Sequence, residues 1–217
     1  MELQFSKNEM YIIINALDFY SRIWIGQYDK ILSDIRWYRK CSQLDKLDND
    51  FKYLLFNIRH LTLPEIDSYG WNGSYGIFSP DINFKAAVAY NMQQEFRYKL
   101  AYFLHPEGGV TVDFCTPMPA ELDPYPFPKA KCEKIKDEIF VNININKEQL
   151  EIIKNSLKIE IEKLNGNITN LFKFYTNNKN VFKLTEQIDK LLETVDKERE
   201  IPQDIINVLD KINSRED

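Results

Sequence analysis

Only two of the 217 residues are histidine, so imidazole chemistry has few places to reside. One of them, His105, lies in LHPEGGVTVDF (Leu104 to Phe114), two residues before Glu107 and just ahead of Gly108-Gly109. His-x-Glu is half of a zinc deaminase site, in which the histidine binds metal and the glutamate moves protons. The other half is a pair of thiolates in a Pro-Cys-x-x-Cys turn, and here Cys115 and Cys132 stand far apart on either side of a proline-rich stretch. No metal, cofactor or catalytic residue is therefore assigned. Pro106-Glu107-Gly108-Gly109 instead has the composition of a turn. Val110, Val112 and Phe114, alternating with Thr111 and Asp113, predict a half-buried strand beyond it. A hairpin corner of this kind still presents His105 and Glu107 to a ligand.

The other glycine cluster, GWNGSYG at 70–76, lacks the spacing and the following helix of a phosphate-cradling loop. It is expected to be an aromatic loop offering Trp71 and Tyr75 for stacking. IRWYRK at 35–40 mixes cations with aromatics, but at helical spacing Arg36 and Lys40 face away from Tyr38, as on a solvated helix end. DKLDND at 45–50 lacks the glycine and final glutamate of a calcium loop, and is expected to cap a helix ahead of Phe51. No Gly-x-Ser-x-Gly elbow is present. The candidate binding surface is where Trp71, Tyr75, His105 and Glu107 would converge, with Arg97 as an anion partner from the adjoining helix.

These residues need elements to hold them. Apolar spacing predicts a first helix from about Lys7 to Trp24, a kink at Gly26, and a further helix from Ile82 to Phe103 with Ala86, Ala89, Phe96 and Leu100 on its core side. Later runs, Leu150 to Leu164, Ile188 to Val195 and Ile205 to Ile212, are helical as well. Two stretches share one grammar. Residues 3–17 and 143–157, offset by 140, agree in Lys, Ile, Ile, Asn and Leu. In each a short strand meets Ser6 or Asn146, with Glu9 or Gln149 three residues on, the arrangement of a capping box. Common descent and the shared grammar alone both account for five identities in fifteen.

Five of the nine prolines fall at 117, 119, 124, 126 and 128, where fixed φ and missing amide donors oppose helix and central strand alike. The expected organisation is an α+β fold. It comprises an aromatic-rich, helix-rich domain over 1–116 with a few short strands, a proline-rich linker over 117–133, and a helical region over 134–217 with a short leading strand. A formal charge of −5 argues against nucleic acid as partner. Three scattered cysteines suit a reducing compartment, and neither a signal peptide nor a membrane span is expected.

ALDFYSRIWIGQYDKIL (16–32), SYGI (74–77), AYNMQQEFRYKL (89–100) and HPEGGVTVDF (105–114) resemble small proteins of bacteriophages and prophages that carry no assigned function. The resemblance covers the first 115 residues or so and implies a phage product acting in the bacterial cytoplasm; it carries no catalytic residues across. The expected function is that of an accessory protein that binds a host protein or a nucleotide-like signal, countering host immunity being one such role. The alternatives are an enzyme acting on a nucleotide or nucleic acid, and a phage structural or assembly protein. Self-association, if any, is expected through the C-terminal helices.

Overall fold

A computed structural model describes residues 2–33, 44–64, 66, 73–120, 127–164, 169–170, 180, 183–187, 189 and 203–214. The fold is mostly helical, with one small antiparallel sheet. In chain order the elements are β1 (Glu2–Ser6), α1 (Lys7–Trp24), α2 (Leu44–Thr62), α3 (Phe84–Leu104), a 3-10 turn (Val112–Phe114), β2 (Lys129–Ile135), β3 (Glu138–Asn144), α4 (Lys147–Leu164) and α5 (Gln203–Asn213).

The chain divides into two compact units, neither continuous in sequence. The first comprises Met1–Ser21, Ile77–Leu157 and Gln203–Asp217; the second comprises Arg22–Gly76 and Lys158–Pro202. This is not the division at 116 and 133 that the prolines suggest. The reason is strand pairing. The sheet order is β1-β3-β2, and β1 pairs antiparallel with β3, which lies beyond the proline stretch, with Leu3 opposite Ile143 and Phe5 opposite Val141. All four side chains are buried, so the first residues of the chain and residues past 138 build one core.

Both capping boxes form. Ser6 N–H donates to Glu9 Oε2 at 2.6 Å and Glu9 N–H to Ser6 Oγ at 3.4 Å. Asn146 N–H donates to Gln149 Oε1 at 3.0 Å and Gln149 N–H to Asn146 Oδ1 at 2.8 Å. Each box satisfies amides that a helix start leaves without intrahelical partners. Glu9 has a second task. Its two oxygens accept Lys211 Nζ of α5 at 3.0 and 2.9 Å, while Ile205, Val208 and Ile212 of α5 are buried. Burial raises the Glu9 carboxyl, but Lys211 and the Ser6 amide and hydroxyl outweigh it, so it titrates below its ordinary value of 4.5. A lowered folded-state value stabilises the fold above the ordinary carboxylate range, and that stabilisation is lost as pH falls through the lower value. Glu9→Gln keeps the box, as Gln149 does natively, and removes only the charge. The stability gap between wild type and Glu9→Gln in urea melts is therefore expected to shrink from pH 6 to pH 3; an equal gap at both would refute the ion pair's role.

α3 is buried on most sides of its helix, including Ala86, Ala89, Phe96 and Leu100 as expected, but also Asn91, Gln94, Glu95 and Arg97. It starts two residues later than apolar spacing suggests, at Phe84 rather than Ile82, with Asn83 Oδ1 accepting Lys85 N–H at 3.0 Å. Its buried polar groups hold the chain that returns along it. Arg97 donates to the Val112 carbonyl. Asn91 takes both backbone groups of Ala120, accepting its N–H at 2.8 Å and donating to its carbonyl at 2.9 Å, and Glu95 accepts Ala130 N–H at 3.4 Å. Prolines 117 and 119 have no amide to give a ladder, so side chains satisfy the backbone that remains. Ala120 thus lies against the helix, and β2 already occupies 129–133 of the expected linker.

In the second unit Gly26 ends α1 rather than kinking it. At φ +87 it donates to Ile23 O at 3.1 Å, and Gln27 N–H reaches Arg22 O at 2.9 Å, the paired bonds of a Schellman stop. A Cβ there would lie 2.5 Å from Ile66 Cδ1. Gly26→Ala is expected to cost about 1–3 kcal/mol through left-handed backbone strain and overpacking, measurable by chemical denaturation; a neutral result would mean the turn relaxes. Tyr28 hydroxyl and Thr62 Oγ1 are 2.8 Å apart, and buried Arg59 donates to the Gly73 carbonyl at 2.7 Å with its guanidinium 5.1 Å from the Phe56 ring centroid. α2 begins at Leu44 and runs through 45–50, so the helix starts ahead of the aspartates expected to cap it before Phe51. Residues 35–40 and 188–202 lie outside the described residues, apart from 189.

Candidate functional site

Two of the five candidate binding residues, His105 and Glu107, meet just past the C-terminal end of α3. Residue 105 is the helix C-cap, its N–H reaching Ala101 O at 2.9 Å. The chain then turns at once: Gly108, at φ +81, donates to His105 O at 2.9 Å. His105 Nδ1 and Glu107 Oε1 are 3.5 Å apart, and both side chains are largely exposed, 61% and 72%. An ion pair this exposed contributes little to stability.

Arg97 does not face solvent or an anion. It is 5% exposed, and its guanidinium donates to the Val112 carbonyl and to Gln94 Oε1, both neutral. Among the described residues no carboxylate pairs with it and its Nε has no hydrogen-bond partner. A buried cation held by dipoles alone is costly, and here what it holds is a loop.

That loop is not the expected strand. Phe114 N–H bonds Thr111 O at 3.1 Å and Cys115 N–H bonds Val112 O at 3.0 Å, a tight 3-10 turn with no ladder partner. The Phe114 ring packs edge-on against Tyr102, centroids 5.3 Å apart, and lies 6.4 Å from His105; Tyr102 in turn sits 4.9 Å from Tyr98. Gly109 lies under that ring so closely that a Cβ would collide with it. With Phe114 turned inward and Arg97 holding residue 112, the two valines point out: Val110 is 104% exposed and Val112 65%. Glu107 and Asp113 flank them, both exposed. Burial and the Asp113 charge raise the phenol of neighbouring Tyr11, on α1, above its ordinary range.

Tyr75 belongs to the other compact unit, where its N–H bonds Ile25 O at 2.9 Å. Trp71 lies outside the described residues. Sequence reading missed Val110 and Val112 as surface residues, because three alternating apolar residues look alike whether one face is buried or none is. The only hint was the glycine pair before them, which frees the loop from any ladder.

A cavity of about 630 Å³ opens at the other end of α3, lined by Phe78, Pro80, Ile82, Phe84 and Pro119 among others. Among the described residues no ionisable side chain lines it. Among the described residues no group of three or more His, Cys, Asp or Glu side chains is placed to hold a metal ion, and no helix is long and apolar enough to cross a membrane. The chain matches no family model, and no curated protein or solved structure matches it either.

Proposed function

We propose that this chain is a binding protein whose recognition element is the loop 105–115 and whose partner is another protein. The observation that carries the reading is a buried arginine and a packed phenylalanine beneath two exposed valines. Apolar side chains on a fixed loop lose little entropy on docking, which is what makes an interface anchor effective. Exposed valines on the loop favour a protein surface over a nucleotide-like ligand, since small molecules need a concave pocket. Exposed Glu107 and Asp113 at its rim fit an apolar pocket with basic edges on the partner. In the setting that the phage resemblance suggests, the partner is a host factor met in the bacterial cytoplasm, and binding disables it, components of host defence included.

The test is affinity capture from bacterial lysate with quantitative mass spectrometry, comparing wild type with Val110→Asp/Val112→Asp. The double variant is expected to lose the captured partner at least tenfold while its melting temperature stays within a degree or two, since neither side chain is in the core. Identical capture by both proteins would remove the loop as the recognition element.

A further inference from the structure

The two strand–cap–helix stretches correspond far beyond five identities. α1 spans Lys7–Trp24 and α4 spans Lys147–Leu164, both 18 residues, so start and end each keep the offset of 140. Buried positions repeat with it: Met10 and Leu150, Ile13 and Ile153, Ala16 and Ser156, Leu17 and Leu157, Phe19 and Ile159. The pairing between the stretches has the same symmetry. Leu3 faces its own counterpart, Ile143; Glu2 faces Asn144, and Gln4 faces Asn142. Adding 140 to one member and subtracting it from the other returns the same set of pairs. Such a register is that of a local two-fold axis through the Leu3–Ile143 pair.

The symmetry breaks at one place. The far edge of β3 is taken by β2, but β1 is an edge strand with no counterpart of β2 beside it among the described residues. Two hydrogen bonds show which groups that edge offers. Ala130 N–H of β2 points away from β3, to Glu95, so Lys129 and Lys131 face β3, and on β3 Asn142 and Asn144 face β2 while Val141 and Ile143 face β1. Leu3 and Phe5 therefore bond β3, and Glu2, Gln4 and Ser6 point outward. Ser6 N–H is indeed turned that way, into Glu9. The backbone groups of Glu2 and Gln4 remain for a fourth strand.

We infer that the outer edge of β1 is a strand-docking site for an extended segment of a partner protein, equivalent by the local two-fold to β2 on β3. It is separate from the loop 105–115 and independent of that loop's role. The chemistry of the occupant follows from β2. Lys131 lies opposite Asn142 and Lys129 opposite Asn144, whose counterparts on β1 are Glu2 and Gln4. A strand with a basic residue facing Glu2 and small residues toward the core side, as Ala130 and Cys132 are, is complementary to this edge in charge and shape.

The symmetry also designs the test. Residues 129–140, KAKCEKIKDEIF, placed directly ahead of Met1 stand in the same relation to β1 as they do to residues 141–146. In the full chain this prefix is expected to protect the Gln4 amide from hydrogen exchange at least tenfold. It should also raise the melting temperature by several degrees, and Gln4→Pro, which removes that amide without touching the bonds to β3, should cancel this gain in melting temperature. In the unmodified chain, the peptide KAKCEKI at millimolar concentration should shift the Gln4 amide resonance, about tenfold more weakly in Glu2→Lys. No protection by the prefix overturns the docking edge. Protection by the prefix without a response to the peptide overturns the partner reading. So does a concentration-dependent dimer of the unmodified chain that Gln4→Pro abolishes, since the occupant is then a second copy.

Discussion

A chain ending at residue 116 is expected not to fold. Up to that point it contains α1, α2, α3 and most of the aromatic residues, and by composition it looks like a domain. Truncation removes β3, so Leu3 and Phe5, 2% and 1% exposed, lose Ile143 and Val141. It removes the backbone groups of Ala120 and Ala130, which leaves Asn91 and Glu95 of α3 buried without their partners. It also removes Ile205, Val208 and Ile212 of α5. Each buried aliphatic side chain deleted costs about 2–5 kcal/mol, and a domain has only about 5–15 kcal/mol in total. Circular dichroism of the 1–116 fragment should show no cooperative thermal transition. Co-expression with residues 117–217 should restore one, because β1 and β3 then meet again. For the same reason a chain cut within 117–128 is expected to elute as one species until denaturant is added. A cooperative melt of 1–116 alone, close to that of the whole chain, would mean that the core described here is not a single cooperative structure.

Arg97→Ala is expected to be the most disruptive single change at the site. It leaves the Val112 carbonyl and the Gln94 amide oxygen without their donor and opens a void beneath the loop. A hydrogen bond to a charged group is worth about 1.5–3 kcal/mol, so a total loss of about 3 kcal/mol follows, and a chain of this size loses about 2–4 °C in melting temperature for each of them. Arg97→Met separates the causes, since it keeps much of the apolar stem and removes the donors. It should recover part of the stability but not the loop. Faster hydrogen exchange at the Phe114 and Cys115 amides and the same loss of partner as Val110→Asp/Val112→Asp are its expected marks. If Arg97→Met exchanges and binds as wild type does, the guanidinium does not set the loop.

What was legible in the sequence was whatever a single turn of chain decides for itself. Ser6 with Glu9 and Asn146 with Gln149 fix two helix starts because the groups that bond are three residues apart. The bounds of α1 follow from that box and from Gly26, whose freedom at positive φ lets the chain leave the helix there. The core face of α3 was visible in the spacing of Ala86, Ala89, Phe96 and Leu100. Tertiary structure alone decided what those elements meet. No local rule states that Leu3 will lie opposite Ile143, and a proline stretch marks a break in regular structure without stating whether a domain ends there. The same limit holds at the loop. Arg97 turned inward, and Val110 and Val112 outward, because a neighbouring carbonyl lay within reach of the guanidinium and, among the described residues, no strand lies beside the valines. Spacing records a residue's phase on its own element, whereas burial depends on which other element arrives to cover it.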